Sequence, residues 1–373
     1  MNAPIPLPYD NAGSRPLAIK PSPAPWQPRR VVITRSAHAY QHGLAMAERC
    51  AAAGLEVEEL SSDAVRMPKA ASERAAYALA KNTLAITVAP PGKLKLQPIA
   101  PSADWRLDLA TGCPAHCNYC YLAGSLKGPP MTRAFANLDE ILDAASAYEG
   151  QGTITSRSSA RAHEGTTYEA SCYTDPLGIE HLTGSLALMI ERFGAWDADV
   201  QLRFTTKFAG VEPLIGLDHN GRTRMRASVN PQAYAPFEGG TDAVADRLAA
   251  LGAMARAGYP IGLTIAPIIA AEGWREAYAG LLRDAACELN GIAGLDLTVE
   301  LITHRFTEGS RAVLQSWYPG SRLDMSEDRR TIKRTKFGTK KTVYDRDTMA
   351  TLKAWFHDAV GAALPEARIL YWT

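Results

Sequence analysis

Residues 110–124 read ATGCPAHCNYCYLAG and place Cys113, Cys117 and Cys120 within eight positions of one another. The chain of 373 residues has only six cysteines, so half of them lie in this one stretch. A buried thiol packs no better than other small apolar side chains. A cluster of this density therefore points to a bound metal, a disulfide or a redox reaction.

The cysteine stretch starts at the end of the first of six strand-like segments, which alternate with amphipathic helical segments. The strand-like segments are WRLDLA, YEASC, QLRFTTK, RMRASV, YPIGLTIAPI and LDLTVELIT. Helical segments such as DAVADRLAALGAMARAG carry apolar residues at helical spacing, and several end in glycine. Six β/α units in series predict an α/β fold whose parallel sheet curls into a barrel or partial barrel, with function at the carboxyl ends of the strands.

The flanking segments predict further parts of the chain. Residues 1–30 carry eight of the 24 prolines and predict a flexible or extended arm. Residues 31–100 alternate strand and helix patterns and predict a small N-terminal α/β unit. We expect the partial barrel over residues 101–310. Over residues 311–373 we expect a C-terminal extension, whose cluster of lysines and arginines predicts contact with DNA. Residues 150–167 are rich in Gly, Ser and Thr and predict a surface insertion.

The composition is that of an ordinary globular protein, with 46% apolar and 21% charged residues. Because the formal net charge is only +1, binding to nucleic acid would need a local basic patch. The sequence contains no apolar run of signal-peptide type, nor one of the roughly 20 residues that cross a bilayer. We therefore expect a cytoplasmic protein, in which thiols stay reduced and disulfides are the weakest account of the cluster.

The spacing Cys-x3-Cys-x2-Cys, with no fourth cysteine nearby, favours an iron–sulfur cluster over zinc. Structural zinc normally has four protein ligands. A [4Fe–4S] cluster held by three thiolates leaves one iron open to a small molecule. The alternative is a structural zinc site completed by His116 or by a distant cysteine. The chain would then be a zinc-stabilised DNA-binding protein without catalysis.

This spacing, with an aromatic residue before the last cysteine, resembles the signature of the radical S-adenosylmethionine enzymes. Read with segments further along, the chain resembles the spore photoproduct lyase family within that group. The matching segments are TGCPAHCNYCYL, EASCYTDPLGIEHLTGSL, LRFTTK, RMRASVN, IAPI, EGWREAY, ELITHRFT and ILYWT. Each string alone is weak evidence, whereas their order and spacing together are strong evidence.

The resemblance implies a six-unit partial barrel and a [4Fe–4S] cluster on Cys113, Cys117 and Cys120, with S-adenosylmethionine at the open iron. It also implies reversal of spore photoproduct, 5-thyminyl-5,6-dihydrothymine, to two thymines in DNA. In that reaction a 5′-deoxyadenosyl radical removes a hydrogen atom from C6 of the lesion, and a cysteine then returns a hydrogen atom to a thymine radical. The matching cysteine is Cys172, for which the alternative is a buried core thiol at a strand end.

The resemblance also assigns roles to other side chains. Tyr119 and Tyr121 match a pair that relays hydrogen or electrons back from the cysteine radical, and packing beside the cluster is the alternative. Positions that match contacts to S-adenosylmethionine, by side chain for the first two and by backbone for the others, are Lys207, Ser228, Thr174 and Ala266. A solvated surface residue is the alternative for the lysine. Cys50 and Cys287 match nothing, and their apolar helical surroundings predict core packing.

The basic segment RRTIKRTKFGTKKTVYDRD predicts a β-hairpin around Phe337-Gly338. The resemblance implies that this hairpin contacts DNA, and a solvated charged face is the alternative. The candidate DNA-contacting residues are Arg305, Lys336, Phe337, Lys340, Lys341 and Tyr344. For Arg305 an ion pair with an acid of the barrel is the alternative.

Two further expectations concern partners and substrate. The resemblance implies an electron donor of flavodoxin or ferredoxin type, and we expect a monomer. The alternative function is a radical enzyme of the same architecture that acts on another DNA photoproduct, or on a different substrate, in a host that does not form spores.

Overall fold

The structure, a computed structural model, describes residues 25–125, 130–152, 161–334 and 340–373. The predicted arm lies outside the described residues up to residue 24, and so do residues 153–160 of the predicted insertion. Among the described residues, no helix is both long and apolar enough to cross a membrane.

The N-terminal part of the chain folds as alternating strands and helices, as its sequence pattern predicts. Its elements are β1 Arg30–Ile33, α1 Gln41–Ala52, β2 Val57–Glu59, α2 Glu73–Lys81 and β3 Thr83–Thr87. All five residues of β3 are buried, which is typical of a parallel strand covered on both faces. The hydroxyl of Ser72 caps α2 by accepting a hydrogen bond from the amide of Ala75 at 3.1 Å.

The remaining elements follow the predicted β/α alternation, with several short strands inserted. Up to the third long strand they are β4 Gln97–Ile99, β5 Ala103–Leu107, β6 Ala110–Thr111, β7 His116–Cys117, β8 Thr132–Phe135, α3 Leu138–Ser146, β9 Thr166–Ala170, α4 Glu180–Thr183, α5 Ser185–Ala195 and β10 Val200–Thr206. The others are β11 Thr223–Val229, β12 Glu238–Gly239, α6 Val244–Arg256, β13 Ile261–Ile268, α7 Trp274–Leu289, β14 Leu297–Thr303, α8 Glu308–Trp317, β15 Arg330–Arg334, β16 Lys340–Tyr344, α9 Arg346–Ala363 and β17 Arg368–Trp372.

The main sheet has eight strands in the order β17-β14-β13-β11-β10-β9-β5-β4. The six predicted strands lie side by side in chain order and pair in parallel, β17 continues the parallel pairing, and β4 is antiparallel at the other edge. The predicted α/β fold with a curled, parallel-rich sheet is therefore confirmed. Because the strands are parallel, the loops that follow them meet at one edge.

A second sheet has the order β2-β1-β3-β8-β6. Its first three strands precede residue 100, but β8 and β6 come from the chain after it and pair with β3 and with each other. The two sheets are therefore joined by the segment that also carries the three cysteines. The division of the chain at residue 100 stays a prediction.

The structure differs from two sequence-based expectations. The amphipathic pattern IEHLTGSLALMIERFG over residues 179–194 predicts one helix, but the structure breaks it into α4 and α5 at Gly184, whose φ of +62° suits glycine. Cys50 is buried as predicted, but the prediction for Cys287 is wrong, because its side chain is exposed on α7. The buried stripe of that helix consists of Tyr278, Leu281, Leu282, Ala285 and Leu289, and position 287 lies off it.

A buried charge network in the main sheet is centred on Arg226 of β11. This guanidinium pairs with Glu169 of β9 and with Glu300 of β14, and it donates to Ser102 Oγ at 2.7 Å. The side chains of all three charged residues are at most 7% exposed. The network therefore links strands on both sides of β11 by charge as well as by backbone pairing.

We expect Arg226→Met to lower the free energy of unfolding by about 3–5 kcal/mol, because it leaves two buried carboxylates without their cation. The measurement is urea unfolding followed by circular dichroism. The matched control is Arg256→Met, which breaks an ion pair with Glu288 on a side chain that is 54% exposed. Its expected loss is under about 1 kcal/mol. Equal losses in the two variants would contradict this account of the network.

Candidate active site

The loop that carries Cys113, Cys117 and Cys120 is called the cysteine loop below, and it is held from two sides. On one side β7 pairs antiparallel with β12, so that Cys117 lies opposite Glu238. On the other side the ammonium of Lys81, the last residue of α2, donates hydrogen bonds to the carbonyls of Cys113 and Ala115. A helix of the N-terminal part and a strand from the middle of the chain thus fix the loop.

The thiols of the cysteine loop are partly exposed, and all six cysteines of the chain are free. Desolvation raises the pKa of Cys113 to about 11 and that of Cys117 to about 12, so these two thiols stay protonated near neutral pH when no metal is bound. In the described part of the chain, no three His, Cys, Asp or Glu side chains are grouped as ligands of one metal ion. A [4Fe–4S] cluster binds each thiolate through a different iron, so its ligands need not be grouped about one metal ion.

One buried carboxylate, that of Glu238, joins two of the predicted site residues. Its Oε1 accepts hydrogen bonds from the Tyr119 hydroxyl, from Lys207 Nζ at 2.8 Å and from Asn230 Nδ2 at 3.1 Å. Its Oε2 accepts from Arg247 Nη1 at 2.7 Å. Burial would raise the pKa of Glu238, but the charges of Lys207 and Arg247 hold it at about 2. The carboxylate therefore stays charged and keeps Lys207 beside the cysteine loop.

The other predicted contacts to S-adenosylmethionine lie around this carboxylate and at the neighbouring strand end. The carbonyl of Ala266 accepts from Lys207 Nζ at 3.4 Å, and the carbonyl of Ser228 accepts from Arg247 Nη1 at 3.0 Å. Thr174 is buried, and its hydroxyl has no hydrogen-bond partner among the residues that the structure describes. A ligand placed here would give that hydroxyl a partner.

Asp175 connects the loop after β9 with the end of β10. Its carboxylate accepts hydrogen bonds at 2.7 Å from Thr206 Oγ1 and from the amide of Lys207, and at 3.3 Å from the amide of Gly178. Burial raises the pKa of Asp175 to about 6. The backbone of Thr174 and that of Lys207 are thereby held next to each other.

Cys172 lies two residues after β9, next to the chain that leads into the cysteine loop. β5 and β9 pair in parallel, with Leu107 opposite Ala170. Ser171 ties the two strand ends together, because its amide donates to Leu107 O and its hydroxyl accepts from Leu109 N, both at 2.8 Å. Its φ of +55° is unfavourable for a residue other than glycine, and it changes the direction of the chain directly before Cys172. Burial raises the pKa of the Cys172 thiol well above its usual range.

Tyr121 of the cysteine loop lies between two cations from the C-terminal part of the chain. The guanidinium of Arg305, which follows β14, is 5.5 Å from the ring centre, and Nζ of Lys341 on β16 is 4.9 Å from it. Burial lowers the pKa of Arg305. These contacts bring the basic strand pair β15–β16 to the cysteine loop.

The other predicted DNA-contacting residues lie in different environments. Lys340 is exposed on β16, but Tyr344 is buried and its hydroxyl accepts from the amide of Ala270 at 3.0 Å. The ring of Tyr344 therefore anchors β16 to the end of β13. Lys336 and Phe337, with the predicted turn, lie outside the described residues. The proposed DNA contacts stay predictions.

Several residues that position the site are not apparent from the sequence. They are Lys81, Asp175, Asn230, Glu238 and Arg247. The arginine gives the only signal, because it occupies an apolar position of the amphipathic helix α6 and is buried there. A charge on the apolar face of a helix predicts a buried partner, but not which residue the partner is.

Comparison with known proteins places the chain in a family. The family model described as spore photoproduct lyase matches residues 26–373. The spore photoproduct lyase of Geobacillus sp. (strain Y412MC61) is 37% identical over 351 residues, which cover 94% of this chain and 99% of that protein. The spore photoproduct lyase of Bacillus subtilis (strain 168) is 36% identical over the same shares of the two chains. The chain belongs to the spore photoproduct lyase family.

Solved structures of spore photoproduct lyase agree with this fold and show ligands. A mutant with bound AdoMet and dinucleoside spore photoproduct has a TM-score of 0.86 at 37% identity. A second structure, complexed with dinucleoside spore photoproduct, has the same TM-score at 38% identity. Each comparison covers 94% of this chain and all of the solved chain.

We expect Glu238→Gln to destabilise the fold by about 3 kcal/mol near neutral pH. A carboxyl whose pKa falls from 4.5 to about 2 on folding stabilises the folded state above pH 4.5. This stabilisation is lost as the pH falls towards 2. Urea unfolding from about pH 7 to about pH 3 should therefore show a difference between wild type and variant that shrinks on acidification.

The control is Glu212→Gln at an exposed carboxyl, which should differ little from wild type at any pH. A difference that does not change with pH would contradict the assigned charge pairing.

Proposed function

We propose that this protein reverses spore photoproduct in DNA to two thymines, as a radical S-adenosylmethionine lyase built on a (β/α)6 partial barrel. The observation that carries the proposal is the meeting of three elements at the carboxyl edge of the main sheet. These are the cysteine loop, the strand end with Cys172, and the basic strand pair that reaches Tyr121 through Lys341. The solved relatives with bound dinucleoside spore photoproduct support the same substrate.

The residues present fit a [4Fe–4S] cluster and S-adenosylmethionine. Cys113, Cys117 and Cys120 would hold the cluster. The side chains of Lys207 and Ser228, with the backbone near Thr174 and Ala266, would bind the second ligand. A relative with bound AdoMet supports this ligand. When bound and reduced, the pair supplies a carbon-centred radical that can remove a hydrogen atom from the lesion.

Cys172 would act after the lesion has lost its hydrogen atom. Its S–H bond is weak enough to give a hydrogen atom to a thymine radical, provided that the two meet directly in a site that excludes water. Because burial raises the pKa of Cys172 well above its usual range, the sulfur keeps its proton and stays a hydrogen-atom donor. The hydroxyls of Tyr119 and Tyr121, both on the cysteine loop, would relay a hydrogen atom or an electron back to the sulfur.

DNA would be held by the basic strands β15 and β16. Lys333, Arg334 and Lys340 are exposed on these strands, and the C-terminal residues 311–373 would form the surface next to the sheet opening. Phosphate contacts of this kind fix the position of the duplex without reading its sequence. A monomer in the cytoplasm, with an electron donor of flavodoxin or ferredoxin type, would complete the system.

The experiment that tests the proposal is an anaerobic assay of reconstituted protein with S-adenosylmethionine, dithionite and a dinucleotide that contains spore photoproduct. Chromatography should detect thymine and 5′-deoxyadenosine together. 5′-Deoxyadenosine without thymine would exclude this lesion and favour a radical enzyme with another substrate. A protein that binds no iron under these conditions would exclude radical chemistry altogether.

In the same assay we expect Cys172→Ala to consume the lesion but to return less thymine for each lesion consumed. Without the thiol, the thymine radical takes its hydrogen atom from other sources and gives abnormal products. The matched control is Cys287→Ala, which removes an exposed thiol of α7 and should leave thymine recovery unchanged. Full thymine recovery by the Cys172 variant would exclude its role as hydrogen donor.

We expect Lys341→Gln to weaken binding to duplex DNA at low salt and to reduce the slope of log affinity against log salt by about 1. Each phosphate contact releases condensed counterions, so losing one lowers the salt dependence in proportion. The control is Lys353→Gln on the exposed face of α9, which removes the same charge away from β16. Equal salt slopes for the two variants would argue against a DNA contact at Lys341.

A further inference from the structure

Lys81 is a buried cation in an unusual setting. It is the last residue of α2, and it is only 6% exposed. Its ammonium donates hydrogen bonds to two backbone carbonyls of the cysteine loop, those of Cys113 and Ala115. In the described part of the chain, no carboxylate forms an ion pair with it.

This arrangement is costly unless an anion lies nearby. A buried ammonium loses most of its hydration, and carbonyl dipoles replace only part of it. Other buried cations of the chain have carboxylate partners, for example Arg226 with Glu169 and Arg247 with Glu238. One group beside Lys81 that becomes anionic on metal binding is the thiol of Cys113, whose own carbonyl accepts a hydrogen bond from Lys81. The missing countercharge of Lys81 therefore lies where the cluster would bind.

We propose that Lys81 is the countercharge of the iron–sulfur cluster and sets how readily the cluster is reduced. This rests on the cluster assigned under the proposed function. Three thiolates give the loaded cluster a net negative charge, and one-electron reduction adds another. A fixed cation next to the cluster stabilises the reduced state more than the oxidised state. Lys81 is thus a positioning residue that acts through the cluster and does not touch the substrate.

The expected size of the effect follows from Coulomb interaction in a partly buried site. Lys81 hydrogen-bonds to the loop that would hold the cluster. Removing its charge should change the equilibrium constant for one-electron reduction of the cluster by about tenfold. For a one-electron couple this corresponds to a shift of about 59 mV towards more negative midpoint potential. The shift concerns reduction of the protein itself and needs no substrate turnover.

The experiment is a redox titration of full-length reconstituted protein, followed by the electron paramagnetic resonance signal of the reduced cluster and accompanied by iron analysis. Two variants separate charge from hydrogen bonding. Lys81→Gln keeps an N–H donor for the two carbonyls but removes the charge, and Lys81→Arg keeps both. The control Lys353→Gln removes an equal charge from the exposed face of α9.

We expect the Lys81→Gln variant to have a lower midpoint potential than wild type, and Lys81→Arg and Lys353→Gln to stay close to it. Loss of iron from Lys81→Gln, with iron retained by Lys81→Arg, would also support the proposal. Both variants keep an N–H donor at this position, but only Lys81→Gln loses the positive charge. An unshifted potential in an iron-loaded Lys81→Gln variant would overturn it. Equal shifts in both Lys81 variants, or iron loss from both, would show that the lysine only shapes the loop and would equally overturn it. Wild-type protein without a cluster would instead refute the proposed function.

Discussion

Four distant parts of the chain meet at one carboxylate, that of Glu238. It binds the cysteine loop through Tyr119, the end of β10 through Lys207, the loop after β11 through Asn230, and α6 through Arg247. A buried carboxylate is unfavourable alone, and it becomes stable only when all of these donors are in place. The geometry of the site therefore depends on the complete fold, because no single segment can satisfy this charge.

The same physical rule applies throughout the open side of the main sheet. Charged groups buried in this sheet need partners of opposite charge. Here those groups are buried ions in matched sets, such as Arg226 with Glu169 and Glu300. Lys81 is the exception, since its countercharge would come from a bound cluster.

Much of the fold was predictable because its signals are local. Apolar runs of strand length alternating with amphipathic helices gave the six parallel strands in their chain order, and buried Cys50 followed from the helical pattern. The predictions were wrong at two positions where the helical pattern of apolar residues is almost regular. The helix around Gly184 is broken by a left-handed backbone conformation, and Cys287 lies just outside the apolar stripe of α7. Such differences of one residue depend on what packs against the helix.

The sequence by itself determined the spacing of Cys113, Cys117 and Cys120, and with it the prediction of a bound cluster, because that spacing is a property of a few adjacent residues. It also determined the order of the strands, since parallel β/α units follow one another along the sheet. Only the tertiary structure decided which charges meet. It buried Tyr344 and placed Lys341 on Tyr121. Within the part of the chain that the structure describes, it left Lys81 without a carboxylate partner. Charge partners lie far apart in the sequence. Their distance in space depends on how helices and strands pack against one another, which no local sequence pattern encodes.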